Sequence, residues 1–268
     1  MILTKIFLKK IYWKIAKKIG FVILFRDERP SKHSQELRLH KTLTGKYFLP
    51  KYAHQDVIKK EITKNRIFDE EVFELSKKYV KSNSIILDIG ANYGQMSILY
   101  SKLFSDTVVY SFEASKYIFD ILKKNVELNS KNIKIFNYVI SDKSGEEFLV
   151  LPNFNKHGTY GSFEVKFSND KEKTYEKKTL IKKVDDIEFE KKISLMKIDI
   201  EGWDLKALKG SINTIKKHQM AIIFEYAPEY EKKMKYNLND FINFFKDLDY
   251  VFLSAIKNNY LVVPKSEI

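Results

Sequence analysis

The chain of 268 residues contains no cysteine. That excludes disulfides, thiolate metal sites, iron–sulfur clusters and a cysteine nucleophile, and it leaves a reducing cytoplasm as the default compartment. Five prolines and nine glycines are too few for a collagen-like or linker-rich architecture. No internal repeat is visible, and no G-x-x-x-x-G-K-[ST] phosphate loop occurs. Near the N-terminus the longest uncharged stretch is Ile19–Phe25, seven residues, where a membrane-spanning helix needs about 20. No small-residue cleavage site follows Phe25, so the segment does not read as a signal peptide. Acidic residues are missing altogether before Asp27.

The hydrophobic fraction is 44%, with 20 Phe and 16 Tyr, enough apolar mass for a large core and too much for a disordered chain. Lysine and arginine outnumber the acids 48 to 35, a net charge of +13. Such an excess points either to an anionic partner or to lysines spread over solvated faces. It is concentrated at residues 5–18, which hold six lysines. Over Leu8–Ile19 the apolar positions Leu8, Ile11, Tyr12, Ile15, Ala16 and Ile19 keep helical spacing, and Lys9, Lys10, Lys14, Lys17 and Lys18 fill the other side. The spacing predicts a basic amphipathic helix, which either lies on an anionic membrane surface at the inner face or packs on the chain's own core. Residues 1–55 are expected to form a basic extension, irregular beyond Arg26, and 56–268 the main domain. Helices are expected at 56–62 and 69–80, the second capped by Asp69.

From residue 84 short apolar runs alternate with helical patterns. Strands are expected over 84–89, 108–112, 133–140, 195–200 and 221–226, with helices at 94–104, 115–129, 204–217 and 238–248 between them. A closing pair spans 251–256 and 260–263. This alternation predicts an α/β fold, a mostly parallel sheet with helices on both faces and one antiparallel strand from the final hairpin. An insertion at about 146–193 reads as extra β structure around a glycine-bearing loop at residues 155–162.

In such a sheet, ligands bind beyond the carboxyl ends of the strands. After the first strand stands Asp88-Ile89-Gly90-Ala91-Asn92-Tyr93-Gly94. Gly90 and Gly94 allow a tight turn into a helix N-terminus, but Asn92 stands where the dinucleotide fingerprint has glycine, so the loop suits a ligand smaller than a pyrophosphate. Glu113 ends the second strand, placed to accept hydrogen bonds from both hydroxyls of a ribose. Asp142 follows the third and can accept from an exocyclic amine such as that of adenine. These residues outline a nucleoside site without a phosphate cradle, like the S-adenosylmethionine site of Rossmann-like methyltransferases.

A second signature is Leu195-Met196-Lys197-Ile198-Asp199-Ile200-Glu201-Gly202-Trp203-Asp204, followed by Leu208-Lys209-Gly210. With the glycine loop, the S-F-E-A ending at Ala114 and the S-D-K-S-G turn at 141–145, the chain resembles the FkbM-type family of S-adenosylmethionine-dependent methyltransferases over about residues 56–265. The sequence departs from that pattern at Ala114, where proline is common, and at Trp203, where alanine is common. The resemblance implies a class I methyltransferase fold, S-adenosyl-L-methionine as cofactor, and O-methylation of a hydroxyl on a sugar, glycan or related metabolite.

That chemistry needs in-line positioning of the methyl group and a base, or a metal, for the hydroxyl proton. The candidates are Asp199, Glu225 and His157. Asp199 faces the transfer site or caps the helix that follows; Glu201 reads rather as that cap. Glu225 ends the next strand, as base, acceptor ligand or plain structural carboxylate. His157 lies in the 155–162 loop and is otherwise a surface histidine. Oxygen ligands from Asp199, Glu201 and Glu225 are compatible with magnesium, but no ligand spacing establishes a metal and none is assigned. A lysine-rich stretch over 171–183 reads either as a solvated hairpin or as a grip on an anionic acceptor such as a phosphorylated or nucleotide-linked sugar, and a lipid-linked acceptor would give the N-terminal helix a use as an anchor. The competing readings are an RNA or protein methyltransferase, suggested by the basic charge but lacking an N-P-P-Y-type tetrapeptide or an RNA-binding module, and a catalytically idle surface-binding protein of the same fold.

Overall fold

A computed structural model describes residues 36–150, 166–167 and 176–268. The amphipathic stretch Leu8–Ile19 and His157 lie outside the described residues. The chain order begins with strands β1 (Leu37–Lys41) and β2 (Lys46–Pro50), then helices α1 (Val57–Thr63) and α2 (Glu70–Ser76). Next come β3 (Ile85–Ile89), α3 (Gln95–Leu103), β4 (Val108–Phe112), α4 (Lys116–Asn129) and β5 (Ile133–Phe136). Short strands β6 (Tyr138–Ile140), β7 (Gly145–Val150), β8 (Lys166–Phe167) and β9 (Glu176–Lys182) follow. The chain closes with β10 (Ile193–Ile198), α5 (Asp204–Lys209), α6 (Ile212–His218), β11 (Ala221–Glu225), α7 (Glu231–Met234), α8 (Leu238–Lys246), β12 (Tyr250–Ile256) and β13 (Asn259–Pro264).

The central sheet has seven strands in the order β12-β13-β11-β10-β3-β4-β5. Its neighbours pair in parallel from β11 to β5, and β13 alone runs antiparallel, between β11 and β12. The two faces follow from the period of two along each strand. Ile86, Leu195 and Ile223 point to one side, where they meet α2–α4 residues such as Phe73, Ile98 and Leu122. Leu87, Met196 and Phe224 point to the other, against Leu208, Ile215, Phe241 and Phe245 of α5, α6 and α8.

The run expected as one strand over 133–140 is broken at Asn137. Its amide donates to the carbonyls of Glu113 (2.8 Å) and Ala114 (3.0 Å), so β5 stays in the central sheet while β6 departs into a separate four-stranded sheet of order β6-β9-β7-β8. The insertion expected at about 146–193 thus supplies three strands of a second small sheet.

Residues 36–50 are not irregular. They form an antiparallel hairpin, and Tyr47 and Leu49 on it are fully buried in the same core as Ile62, Val72 and Phe73. Asn125 on α4 fixes this hairpin, accepting from Phe48 N–H at 2.6 Å and donating to the carbonyls of Phe48 (3.2 Å) and Tyr93 (2.9 Å). One buried amide therefore holds the hairpin and the glycine loop together, and residues 36–80 are packed onto the face of the sheet that carries the site. Among the described residues no helix is long and apolar enough to cross a membrane.

Candidate functional site

The site begins where β3 stops. Gly90 and Gly94 both have φ near +90°, in the region that favours glycine. Gly90 has a harder constraint than ligand approach. A Cβ there would stand 2.0 Å from the Asp199 carbonyl oxygen, because the loop runs directly beside the end of β10. Between the glycines the loop is held from below. Asn92 N–H donates to Glu113 Oε2 at 3.0 Å and Ser115 N–H to Glu113 Oε1 at 2.8 Å, so one carboxylate joins the loop after β3 to the start of α4. Tyr93 Oη donates to buried Asp56 at 2.8 Å, and Asp56 caps α1 through Lys59 N–H at 2.8 Å, which ties the loop to the N-terminal segment as well.

A cavity of about 160 Å³ opens above these groups. The glycine loop and Glu113 form its floor, and Phe112 with Tyr138, Val139 and Ile140 make a partly apolar wall. Asp69, Asp199, Glu201, Glu225 and Trp203 line it as well. Asp88, Gly90, Asn92 and Glu113, expected as cofactor residues, all line this cavity, as do Asp199 and Glu225 from the catalytic set. Gly94 serves the site as the residue that begins α3. Asp142 is brought elsewhere: it is exposed, accepts from its neighbour Ser141 Oγ at 3.1 Å, and does not border the cavity, which the backbone of 138–140 borders instead.

Glu113 is 8% exposed. Burial is the main force on its carboxyl and pushes its pKa up to about 7, against the pull of the N–H groups of Ser115, Asn92 and Ala114. Asp88 is fully buried. Ser97 Oγ donates to its Oδ2, while Oδ1 has no hydrogen-bond partner, and burial raises its pKa despite the nearby Lys197 ammonium.

Lys197 was not singled out from the sequence, although a lysine inside the buried run Leu195–Ile198 is a visible anomaly. It is 4% exposed. Its Nζ lies 3.1 Å from Asp199 Oδ2 and 4.0 Å from Asp88 Oδ1. Burial works against its charge, but Asp199 and Asp88 together outweigh that and raise its pKa. Register explains the grouping: Lys197 pairs with Asp88 across β10–β3 and with Ile223 across β10–β11. Asp199 and Glu225, each two residues further along, emerge on the same face.

The acidic side is crowded. Burial first, then the charges of Asp199, Asp204 and Glu201, push Glu225 up to about 8, so it is mostly protonated at pH 7. Burial and then Asp199 raise Asp69 as well. Asp69 stands at the N-cap position of α2 with φ 52° but makes no side-chain capping bond. Glu201 does not cap either. The N-cap position of α5 is Trp203, and Glu201 accepts from Tyr230 Oη at 2.6 Å. Asp204, absent from the sequence candidates, is fully buried; its Oδ1 accepts Glu225 N–H at 3.0 Å and burial pushes it up to about 7. Among the described residues no group of three or more His, Cys, Asp or Glu is placed to hold a metal ion.

Fold and site together define a class I, Rossmann-like methyltransferase. The Methyltransferase FkbM domain matches residues 88–252, more than half of the chain, and the chain belongs to that family. It is similar to Methyltransferase sdnD of Sordaria araneosa, 25% identical over 178 residues that make up 54% of this chain and 66% of that protein. Among solved structures it is similar to methyltransferase FkbM from Methylobacillus flagellatus KT, with 16% identity, a TM-score of 0.47, and 70% and 45% of the two chains covered. It is also similar to M. jannaschii TYW2 in complex with AdoMet, with 13% identity, a TM-score of 0.39, and 87% and 85% covered. The chain thus spans just under two thirds of the first of these proteins and less than half of the second.

Proposed function

We propose that the protein transfers a methyl group from S-adenosylmethionine to a hydroxyl oxygen of an uncharged, sugar-type acceptor, with Asp199 taking the hydroxyl proton. The observation that supports it is one cavity lined both by the glycine loop with Glu113 and by the carboxylate of Asp199. Glu113 offers its remaining lone pairs to ribose hydroxyls, and the wall of Phe112 and Tyr138–Ile140 suits a flat base. When bound, the cofactor supplies an electrophilic methyl group on a sulfonium, whose sulfur keeps the bonding pair when the carbon leaves.

The chain's own residues do the rest. Asp199, held by the Lys197 ammonium, accepts the proton as the acceptor oxygen forms its new bond to carbon. Glu225, pushed up to about 8 by burial and the neighbouring acids, donates a hydrogen bond that orients the acceptor while it is protonated. Trp203 also lines the pocket, with Lys206 Nζ 3.8 Å from the centre of its ring. The carboxyls of Asp69, Asp199, Glu201 and Glu225 offer hydrogen-bond partners to the hydroxyls of a neutral compound. A phosphorylated or nucleic-acid acceptor instead meets Lys197 as the one lining cation among the described residues, already paired with Asp199 and Asp88.

Two measurements test the proposal. Calorimetry with S-adenosylmethionine should show stoichiometric binding. Methyl transfer to neutral glycans, nucleotide sugars and RNA, assayed side by side, should label the neutral glycans. Asp199→Asn should keep cofactor affinity within about twofold and lower turnover roughly 10²-fold or more, the scale of a lost general base. Turnover equal to wild type in that variant would remove Asp199 from the reaction.

A further inference from the structure

Lys197 is a full charge in the middle of a strand whose neighbours Leu195, Met196 and Ile198 are completely buried. A charge so placed is costly unless it is paired. Its two candidate partners stand at different depths. Asp199, with a side chain 28% exposed, faces the cavity, while Asp88 lies behind it with its Oδ1 free of hydrogen bonds. The ammonium sits 3.1 Å from the first and 4.0 Å from the second.

From this geometry we infer that Lys197 is a positioning residue. It holds Asp199 aimed at the acceptor through the 3.1 Å contact, and Asp88 is the reserve counter-ion that keeps the ammonium paired once Asp199 has taken a proton. The inference rests on the reading of Asp199 as the proton acceptor. With Asp88 ionised beside the ammonium, the three side chains carry two negative charges and one positive before transfer. After transfer, with the acceptor's proton on Asp199, one of each remains, and a small movement of Nζ toward Asp88 Oδ1 pairs them. The proton passes from acceptor oxygen to carboxylate oxygen, and nothing is oxidised or reduced.

The other groups facing Lys197 agree with this assignment. From α3, Tyr100 Oη is paired with Ser76 Oγ at 2.5 Å. Ser97 Oγ, between Asp88 and Ser111, gives its proton to Asp88. From the start of α2 comes Asp69 and from β11 comes Glu225, both negative when ionised and both with pKa values raised by burial and then by Asp199. Glu201 and Asp204 also face the Asp199 charge, and the further cation in the cluster, Lys257, acts on Asp69, so removing Lys197 leaves Asp199 facing mainly carboxyls.

The test reads Asp199 directly and needs no acceptor. In the full chain labelled with ¹³C at aspartate side-chain carboxyls, the Asp199 signal is identified by its loss in Asp199→Asn, and its titration is followed in variants. Lys197→Gln should raise the pH at which Asp199 titrates by one unit or more, the usual effect of losing an adjacent opposite charge. Lys197→Arg should restore it to within half a unit of wild type. Asp88→Asn should shift it the opposite way, to lower pH, because it removes a competitor for the ammonium and a like charge. A purely structural lysine predicts lower melting temperatures with no opposed shifts, and an unmoved Asp199 titration in folded Lys197→Gln overturns the inference. If Lys197→Gln does not fold, Asp88→Asn decides alone: an Asp199 titration unchanged or moved upward overturns it. Separately, methyl transfer by Asp199→Asn at the wild-type rate refutes the underlying role of Asp199 and the inference with it. Loss of transfer in Asp199→Asn, with Asp199 indifferent to Lys197, refutes the inference alone.

Discussion

The ionisation of Glu113 makes cofactor affinity a function of pH in a narrow window. Its carboxyl is buried at the floor of the cavity and titrates at about 7, and it is the ionised form that accepts strong hydrogen bonds from ribose hydroxyls. If only that form binds, the apparent Kd scales as one plus the ratio of protonated to ionised carboxyl. The ratio gives a factor of about 1.1 at pH 8, about 2 at pH 7 and about 11 at pH 6. Affinity for S-adenosylmethionine should therefore weaken about tenfold from pH 8 to pH 6, or about 1.4 kcal/mol. Binding at pH 6 should release close to one proton, which calorimetry in two buffers of different ionisation enthalpy detects. Glu225, at about 8, titrates nearby, so Glu113→Gln is the necessary control. That variant should bind about 1–2 kcal/mol more weakly at pH 8 and show a flat profile between pH 6 and 8. Its melting temperature must be checked, because one of the two N–H groups now held by Glu113 faces the new amide. A wild-type affinity constant within twofold over this range refutes the assignment of Glu113, as does a slope that survives in Glu113→Gln.

Gly90→Ala should lower stability by about 3 kcal/mol or more, because the new Cβ meets the Asp199 carbonyl oxygen at 2.0 Å in a left-handed backbone. For a chain this long that is a fall in Tm of about 6 °C or more, and a change under 2 °C would show that the loop yields. Asp142→Ala should leave S-adenosylmethionine affinity within about twofold, since Asp142 is exposed and away from the cavity; a tenfold loss in calorimetry would return it to the site. Deleting residues 1–25 should release the protein from anionic vesicles in co-sedimentation while cofactor affinity is kept, each lysine near such a surface contributing about 1 kcal/mol. If the intact chain does not bind those vesicles and truncation lowers Tm by several degrees, the helix packs on the core instead.

The strand ends were readable in sequence because the signals are local. Apolar runs that stop at Asp88, Glu113, Asp199 and Glu225 place those carboxyls at the edge of a parallel sheet whatever else the chain does. What escaped depended on distant partners. The hairpin at 36–50 is secured by Asn125 and Asn129, about 80 residues away in sequence, and nothing within it marks it as buried. Glu201 obeys the local preference of carboxylates for helix N-termini, yet Tyr230 claims it from the loop after β11. At Gly90 the residue type was legible and its reason was not. The expected neighbour was a ligand, and the observed one is the backbone of the adjacent strand.

Charge shows the same division between what is summed and what is placed. A balance of +13 suggests an anionic partner, but a total says nothing about which residues share a cavity. Strand register decides that. Lys197 beside Asp88, with Asp199 and Glu225 two residues further along adjacent strands, makes a stripe with three carboxyls and one ammonium on one face of the sheet. Asp69 and Glu201 add two more carboxyls at its mouth. At contact distances in a half-buried cavity such charges interact several times more strongly than those spread over a solvated surface, where salt screens them beyond about 8 Å. The carboxyls gathered in the cavity, several of them with pKa values raised by burial, therefore govern what enters it, and the lysines elsewhere govern only what the surface meets first. A neutral hydroxyl compound loses least in the cavity, and a surface that attracts anions can still bring it there attached to an anionic carrier whose charge stays outside.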